Sequence, residues 1–176
     1  MPTFNKICVI GLGYIGLPTA AVFARSGVEV IGVDVNPKAV EIINSGRAHI
    51  VEADLDGLLH NVIENGNLKA SLIPEEADAY LIAVPTPFKG DHEPDLAYVE
   101  AATRSIAPYV KLGSLIVLES TVPPGATEKI VEWLEEERPD LKDAGGAGKA
   151  YYAAHCPERV LPGRVLIELV SNDRII

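Results

Sequence analysis

The sequence lacks most of the features that mark secreted, membrane-spanning or nucleic-acid-binding proteins. It contains only two cysteines in 176 residues, Cys8 and Cys156, and they form no spaced pair. This excludes a disulfide framework and favours a reducing, cytoplasmic setting. No apolar run approaches the length that spans a membrane, so we expect no membrane partner. The N-terminus has no charged region before a cleavable apolar core, so we expect no signal peptide.

Positive charge is scarce as well. The formal net charge is −10, and no cluster of lysine and arginine offsets it, so we expect no nucleic-acid partner. The phosphates of a dinucleotide are not excluded, because backbone amides can bind them. Aromatic residues make up 6% of the chain and hydrophobic residues 48%, which argues against disorder. The length suits one α/β domain with a real core.

Short apolar, β-branched runs alternate with amphipathic segments along the chain. The pattern predicts strands at 6–10, 28–33, 68–71, 79–84, 114–119 and 151–155 and helices at 14–25, 37–45, 54–65, 96–107 and 126–138. Such alternation is typical of a Rossmann-like, doubly wound, mostly parallel sheet with helices on both faces. We therefore expect residues 1–176 to form one domain of this α/β class.

A glycine motif of the form G-x-G-x-x-G follows the first predicted strand. Its glycines are Gly11, Gly13 and Gly16, and a helix is predicted directly after them. The first glycine permits a tight turn, the second lets a pyrophosphate approach the backbone, and the third lets the helix pack close to the strand. The helix N-terminus offers N–H groups and a positive dipole end to the anion.

An acidic residue, Asp34, ends the second predicted strand, 18 residues after Gly16 (34 − 16). A carboxylate at this place accepts hydrogen bonds from the adenosine ribose and repels a 2′-phosphate. The sequence therefore predicts a site for NAD rather than NADP. The alternative is that Asp34 merely starts the turn at 34–37.

Three later predicted strands end in loops that contain proline next to hydroxyl or carboxylate groups. These loops are 85–87, 120–124 and 156–159. Because ligands of parallel sheets bind beyond the carboxyl ends of the strands, the three loops and the glycine turn should meet in one site.

The residue patterns argue against three other interpretations. Segment 143–149 ends in Gly148 and Lys149, but it lacks the first glycine and the Ser or Thr of a phosphate-binding P-loop. The acidic run 135–137 has no histidine or cysteine spaced to complete a metal site and is expected to be solvated surface. His155 and Cys156 should point to opposite faces of a strand, so structural packing of Cys156 is favoured over a catalytic dyad.

Four segments together resemble one known family. Residues 11–18, 84–87, 119–125 and 156–159 are similar to the NAD-binding half of the UDP-sugar and GDP-mannose dehydrogenases. Residues 88–95 and 157–163 resemble the N-acetylmannosamine branch of that family. The resemblance covers essentially the whole chain, but only the N-terminal part of such an enzyme.

The resemblance implies oxidation of the primary alcohol of a UDP-sugar to a carboxylate, with two NAD⁺ reduced in turn. It implies that Glu158 is a general base in thioester hydrolysis and that Thr121 lies near the nicotinamide and the catalytic water. Arg159 and Val160 match substrate-contacting positions. The positions that match cofactor contacts are Tyr14, Ile15, Asp34, Thr86 and Thr127. The alternatives are that Glu158 has only a structural role and that the Thr121 hydroxyl serves only the entry to the following helix.

One position departs from part of the family. Pro162 stands where the UDP-glucose branch has a second glutamate, and this favours the N-acetylmannosamine branch. The family's catalytic cysteine and lysine lie in later domains that this chain does not contain.

Since the end of the chain, 174–176, has the pattern of the start of a strand, we expect the chain to be the front part of a longer enzyme. That enzyme would be a homodimer, and this part alone would be inactive. The alternatives are a UDP-glucose or UDP-N-acetylglucosamine dehydrogenase, or a free-standing NAD-sensing module.

Overall fold

A computed structural model describes residues 4–90, 93–143 and 150–173 of the chain. The strands of the described residues are β1 (Lys6–Ile10), β2 (Glu29–Val33), β3 (Leu68–Ser71), β4 (Ala79–Ile82), β5 (Phe88–Lys89), β6 (Glu93–Pro94), β7 (Ser114–Leu118) and β8 (Tyr151–His155). Their α-helices are α1 (Gly16–Arg25), α2 (Pro37–Asn44), α3 (Leu55–Glu64), α4 (Ala97–Ile106), α5 (Ala126–Glu137), α6 (Pro139–Asp143) and α7 (Val165–Ser171), and a 3₁₀ turn covers Ala107–Tyr109.

Six of the strands form one parallel sheet in the order β3-β2-β1-β4-β7-β8. From β1 the chain proceeds to β2 and β3 on one side, and from β4 it proceeds to β7 and β8 on the other. The topological switch point of the sheet therefore lies between β1 and β4, where doubly wound folds bind their ligands. The predicted fold class is confirmed.

Helices cover both faces of this sheet, so its central strands are apolar along their whole length. On one face α4 and α5 contribute Val99, Ile106, Ile130 and Leu134 to a core that includes Ile82 and Leu118. On the other face α1, α2 and α3 contribute residues such as Leu17, Ile43 and Leu59, with Leu166 of α7 packed against them.

The local signals for the first helices agree with the structure. Ala20 and Ala24 of α1 are fully buried, as the spacing of small residues predicts. Asn36 caps α2, because its side-chain Oδ1 accepts a hydrogen bond from the N–H of Lys38 at 3.1 Å. Pro37 occupies the first helical position, where its missing N–H costs least.

Four parts of the chain differ from the sequence prediction, and three segments that the prediction covers lie outside the description. The polar loop after β4 includes the short antiparallel pair β5–β6, helix α6 follows α5 directly, and the apolar segment after 164 is helix α7. Strand β4 ends at Ile82, two residues before the predicted end, because the chain turns off the sheet ahead of Pro85. Asp91 and His92, the loop at 144–149 and the strand predicted at 174–176 lie outside the described residues.

Candidate active site

The three glycines of the motif have three different structural roles. Gly11 has φ +91°, and a Cβ there would lie 2.6 Å from the carbonyl oxygen of Ala83. A Cβ on Gly16 would lie 1.8 Å from the carbonyl oxygen of Gly11, so this glycine permits close contact of α1 with the turn. A Cβ on Gly13 would meet no atom within 4 Å. The structure thus leaves open space at the one glycine where the motif predicts an approaching phosphate.

The N-terminus of α1 opens onto this space. Its N-cap residue, Ile15, provides no side-chain hydrogen bond, and the first turn holds no acidic residue. Among the described residues, none accepts a hydrogen bond from the N–H groups of Gly13, Tyr14 and Ile15. Unpaired helix N–H groups at the positive end of the dipole are an anion site. Tyr14 is 53% exposed beside them.

Asp34 stands at the carboxyl end of β2, next to the glycine turn. Its Oδ2 accepts a hydrogen bond from the N–H of Leu12 at 3.0 Å, and its Oδ1 accepts one from the N–H of Asn36 at 2.8 Å. The carboxylate therefore does start a turn, as the simpler interpretation has it. It also joins the end of β2 to the glycine turn, which that interpretation does not include.

A cleft of about 180 Å³ lies at the switch point beyond β4 and β7. It is lined by Ile15, Ala83, Glu119, Ser120, Thr121 and Glu158. The glycine turn, the loop after β4, the loop after β7 and the loop after β8 each contribute to this list. The sequence-based expectation that these loops meet agrees with this arrangement.

Hydrogen bonds fix the loops of the cleft to one another. Thr86 Oγ1 donates to the carbonyl oxygen of Thr121 at 2.7 Å, and Ser120 Oγ donates to the carbonyl oxygen of Val84 at 2.7 Å. The Nε2 of His155 lies 3.2 Å from the carbonyl oxygen of Ser120. The Thr86 and Ser120 hydroxyls thus hold the loop after β4 against the loop after β7, and each oxygen keeps lone pairs that can accept a further hydrogen bond.

Glu158 is half-buried, and its carboxylate is oriented by the backbone. Its Oε2 accepts a hydrogen bond from the N–H of Val160 at 2.9 Å. A carboxylate has about four lone-pair sites, so this bond leaves capacity to accept a proton or a further hydrogen bond. Arg159 and Val160 follow on the same loop but do not line the cleft. Thr127, the second residue of α5, does not line it either.

Both cysteines are buried, neither forms a disulfide, and neither lines the cleft. Burial raises the pKa of the Cys8 thiol to about 11, which suits an inert core residue. Cys156 faces an apolar cavity of about 490 Å³ beside α1, whereas His155 faces Ser120. That cavity is lined mainly by apolar side chains such as Phe23, Leu115 and Leu169, with Thr19 and Glu119 as its polar residues.

In the acidic run at the end of α5, Glu136 and Glu137 are exposed and Glu135 is partly buried, and all three are paired with cations. Glu136 and Glu137 form ion pairs with Arg104 of α4 at 2.7 and 2.8 Å, and Glu135 lies 3.5 Å from Lys142. In the part of the chain that the structure describes, no group of three His, Cys, Asp or Glu residues could hold a metal ion. In the same part, no helix combines the length and the apolar character that crossing a bilayer requires.

Of two neighbouring cleft residues, the sequence predicts Ser120 only as part of the loop 120–124 and does not predict Glu119 as a site residue. Glu119 is 2% exposed and directly follows β7, and Ser120 is its neighbour. Their position at a strand end was a signal for both. A third residue, Glu52, contacts the loop after β8 from more than a hundred positions away, and no local pattern indicates such a contact.

Comparison with known proteins places these features in a family. Residues 5–176 match the model of the UDP-glucose/GDP-mannose dehydrogenase family, NAD binding domain. The chain is 60% identical to a UDP-N-acetyl-D-mannosamine dehydrogenase of Campylobacter jejuni, over 100% of this chain and 44% of that protein. It is 59% identical to an NDP-N-acetyl-D-galactosaminuronic acid dehydrogenase of Ralstonia nicotianae, over 98% of this chain and 41% of that protein.

A solved structure gives the same picture. The UDP-D-ManNAc dehydrogenase of Pyrococcus horikoshii superposes with a TM-score of 0.88 at 44% identity, covering 96% of this chain and 40% of that one. The chain therefore spans less than half the length of the relatives that it matches.

Proposed function

Since the chain belongs to the UDP-glucose/GDP-mannose dehydrogenase family, we propose that it is the NAD-binding part of a UDP-N-acetyl-D-mannosamine dehydrogenase. The full-length enzyme would oxidise the primary alcohol of the sugar to a carboxylate, giving UDP-N-acetyl-D-mannosaminuronate. The observation that carries the proposal is the 60% identity over the whole chain to an enzyme of that name. Residues 1–176 would form one NAD-binding domain of this enzyme.

The glycine turn and Asp34 would hold the cofactor. The open space at Gly13 and the unpaired N–H groups of Tyr14 and Ile15 fit a pyrophosphate. The Asp34 carboxylate, fixed beside the turn, fits the hydroxyls of the adenosine ribose. Thr86 and Thr127 complete the proposed set of cofactor contacts together with Gly11 and Gly16. When bound, NAD⁺ supplies the acceptor for hydride from the substrate.

The cleft at the switch point would be the reacting end of the site. Glu158 and Thr121 line it together with Ile15 of the cofactor turn, so the proposed base and the proposed cofactor site share one space. Glu158 would remove a proton from the water that hydrolyses a thioester, and Thr121 would orient that water. Arg159 and Val160 would contact the UDP-sugar. The nucleophilic cysteine would come from a part of the enzyme outside these 176 residues.

A second substrate has a specific observation in its favour. The Ralstonia relative is named for an N-acetylgalactosaminuronic acid, and its identity of 59% is nearly the same as that of the Campylobacter protein. UDP-glucose is disfavoured by Pro162, because the family resemblance places a glutamate there in the UDP-glucose branch.

The experiment is a substrate comparison with the full-length enzyme. We expect UDP-N-acetyl-D-mannosamine to give about two NADH per sugar and the highest kcat/KM among the UDP-sugars tested. The 176-residue chain should bind NAD but give no sustained NADH production. A preference for UDP-N-acetylgalactosamine or UDP-glucose would overturn the assigned substrate.

The role of Glu158 is tested in the same assay. We expect Glu158→Gln to lower kcat by about 10²- to 10⁴-fold, the scale of a lost general base, while the affinity for NAD is unchanged. Glu128→Gln, an exposed change in the first turn of α5, is the matched control. Normal turnover by Glu158→Gln would refute the proposed base.

A further inference from the structure

The segment 157–164, here called the strap, connects β8 to α7 and carries Glu158 into the cleft. It has no helix or strand of its own, so its shape depends on contacts with other elements. Two of these come from helix α7 and from the residue that follows it. The Oε2 of Glu168, which is 8% exposed, accepts a hydrogen bond from the N–H of Leu161 at 2.9 Å, and Asn172 Nδ2 donates to the carbonyl oxygen of Arg159 at 2.7 Å.

The strap is also held by a residue from a distant part of the chain. The carboxylate of Glu52 accepts two backbone hydrogen bonds at once, with Oε2 2.8 Å from the N of Gly163 and Oε1 2.8 Å from the N of Val165. Val165 is the first residue of α7, and its own N-cap residue, Arg164, makes no side-chain capping bond. Glu52 therefore caps α7 in place of the local residue. Hydrogen bonds to a carboxylate are about twice as strong as those between neutral groups.

Glu52 is itself tied to the rigid part of the domain. Its carbonyl oxygen accepts a hydrogen bond from Leu55, the fully buried first residue of α3, at 3.4 Å. The N–H of Ala48 in the same loop donates to Asp56 Oδ1 at 2.7 Å. The backbone of Glu52 is thus joined to the start of α3, which packs on the same face of the sheet as α1, so Glu52 links the strap to that face.

We propose that Glu52 is a positioning residue, which fixes the strap so that Glu158 is held in the cleft that Ile15 also lines. The inference rests on the proposed function, because it assigns Glu52 its effect through the proposed base. Glu52 does not line the cleft, and its carboxylate bonds go to the strap and to the start of α7. Its loss should therefore leave cofactor binding intact and impair the step that depends on the strap.

The test uses Glu52→Gln in the full-length enzyme, with Glu41→Gln on the exposed side of α2 as the matched control. A glutamine amide offers one oxygen where two N–H groups require acceptors, so at least one of the two bonds is lost. We expect kcat to fall by about 10- to 100-fold, the scale of a displaced catalytic group, with KM for NAD unchanged. Glu52→Asp, which retains the charge on a shorter side chain, should recover part of the loss.

Two further measurements separate positioning from general damage. Amide hydrogen exchange at Gly163 and Val165 should accelerate in Glu52→Gln while exchange in β1 and β4 stays slow. In a double-mutant cycle, Glu52→Gln should add nothing to the loss already caused by Glu158→Gln, because both act through one group. Fully additive losses, or unchanged exchange at the two amides, would overturn the inference. Normal turnover by Glu158→Gln would instead overturn the proposed base, so the two failures are read from different variants.

Discussion

Replacing Gly13 by alanine should weaken cofactor binding without harming the fold. A Cβ at this position meets no atom within 4 Å, and the φ of Gly13 lies outside the left-handed region that other glycines of the chain occupy. Folding stability should therefore stay within about 1 kcal/mol of the wild type, and it could rise, because alanine restricts the unfolded chain more than glycine does.

The added methyl group fills the space into which a pyrophosphate would approach. We expect the affinity for NAD to fall at least tenfold, about 1.4 kcal/mol, since the phosphate can no longer reach the N–H groups at the start of α1. Calorimetric titration of the 176-residue chain measures the affinity, and thermal unfolding of the same samples measures the stability.

Gly16→Ala is the informative comparison in the same motif. Its Cβ would stand 1.8 Å from the carbonyl oxygen of Gly11, which is backbone and cannot move aside cheaply. We expect a loss of about 3 kcal/mol or more in folding stability, the upper range for overpacked sites. Unchanged NAD affinity in Gly13→Ala would refute the phosphate site. Normal stability of Gly16→Ala would refute the packing argument.

Two further predictions concern Asp34 and Tyr80. Asp34→Ala should weaken NAD binding by about 1–3 kcal/mol, the scale of a lost charge-assisted hydrogen bond. If calorimetric titration gave an unchanged affinity, Asp34 would have only a structural role in the turn. Burial raises the pKa of Tyr80 to about 12, whereas an unfolded tyrosine titrates at about pH 10. The unfolded state therefore loses this proton first as the pH rises. Folding stability should fall between about pH 10 and about pH 12. Denaturant unfolding of Tyr80→Phe should show a flatter decline of folding stability with pH. The variant should lose about 1–3 kcal/mol of stability at neutral pH, because the N–H of Ala77 is left without its phenol acceptor. An equally steep decline in the variant would contradict the assignment.

The sheet could be predicted from the sequence because its signals are local. Each buried strand is a short apolar run, and the glycine turn and the Asn36 cap are determined by residues within a few positions of each other. The cleft could be located for the same reason. Once the strands are parallel, their carboxyl ends lie at one edge, so Thr121 and Glu158 meet without any knowledge of their contacts.

What the sequence could not predict depends on long-range contacts. Helix α7 has seven residues and no capping side chain of its own, and its N-terminus is satisfied by Glu52, more than a hundred residues earlier. An isolated helix of this length is unstable in water, so its formation depends on tertiary packing rather than on propensity. The hydrogen bond from Thr86 to the loop of Thr121 has no local signal either, because the two residues are brought together only by the pairing of β4 with β7.

The two hydrogen bonds of Asp34 bear on how the domain would distinguish NAD from NADP. Both donors, the N–H groups of Leu12 and Asn36, are neutral, so the carboxylate retains its full negative charge while its position is fixed. Each oxygen can accept a further bond, and the ribose hydroxyls could therefore bind without displacing either N–H group. A carboxylate that is already ordered avoids the entropic cost of immobilisation when the cofactor binds. The same fixed charge would repel a 2′-phosphate, because the Asp34 carboxylate is held in place and cannot turn away from it. Asp34→Asn removes the charge but keeps an oxygen that can accept one of the two backbone bonds. It should therefore lose discrimination against NADP more than it loses the geometry of the turn.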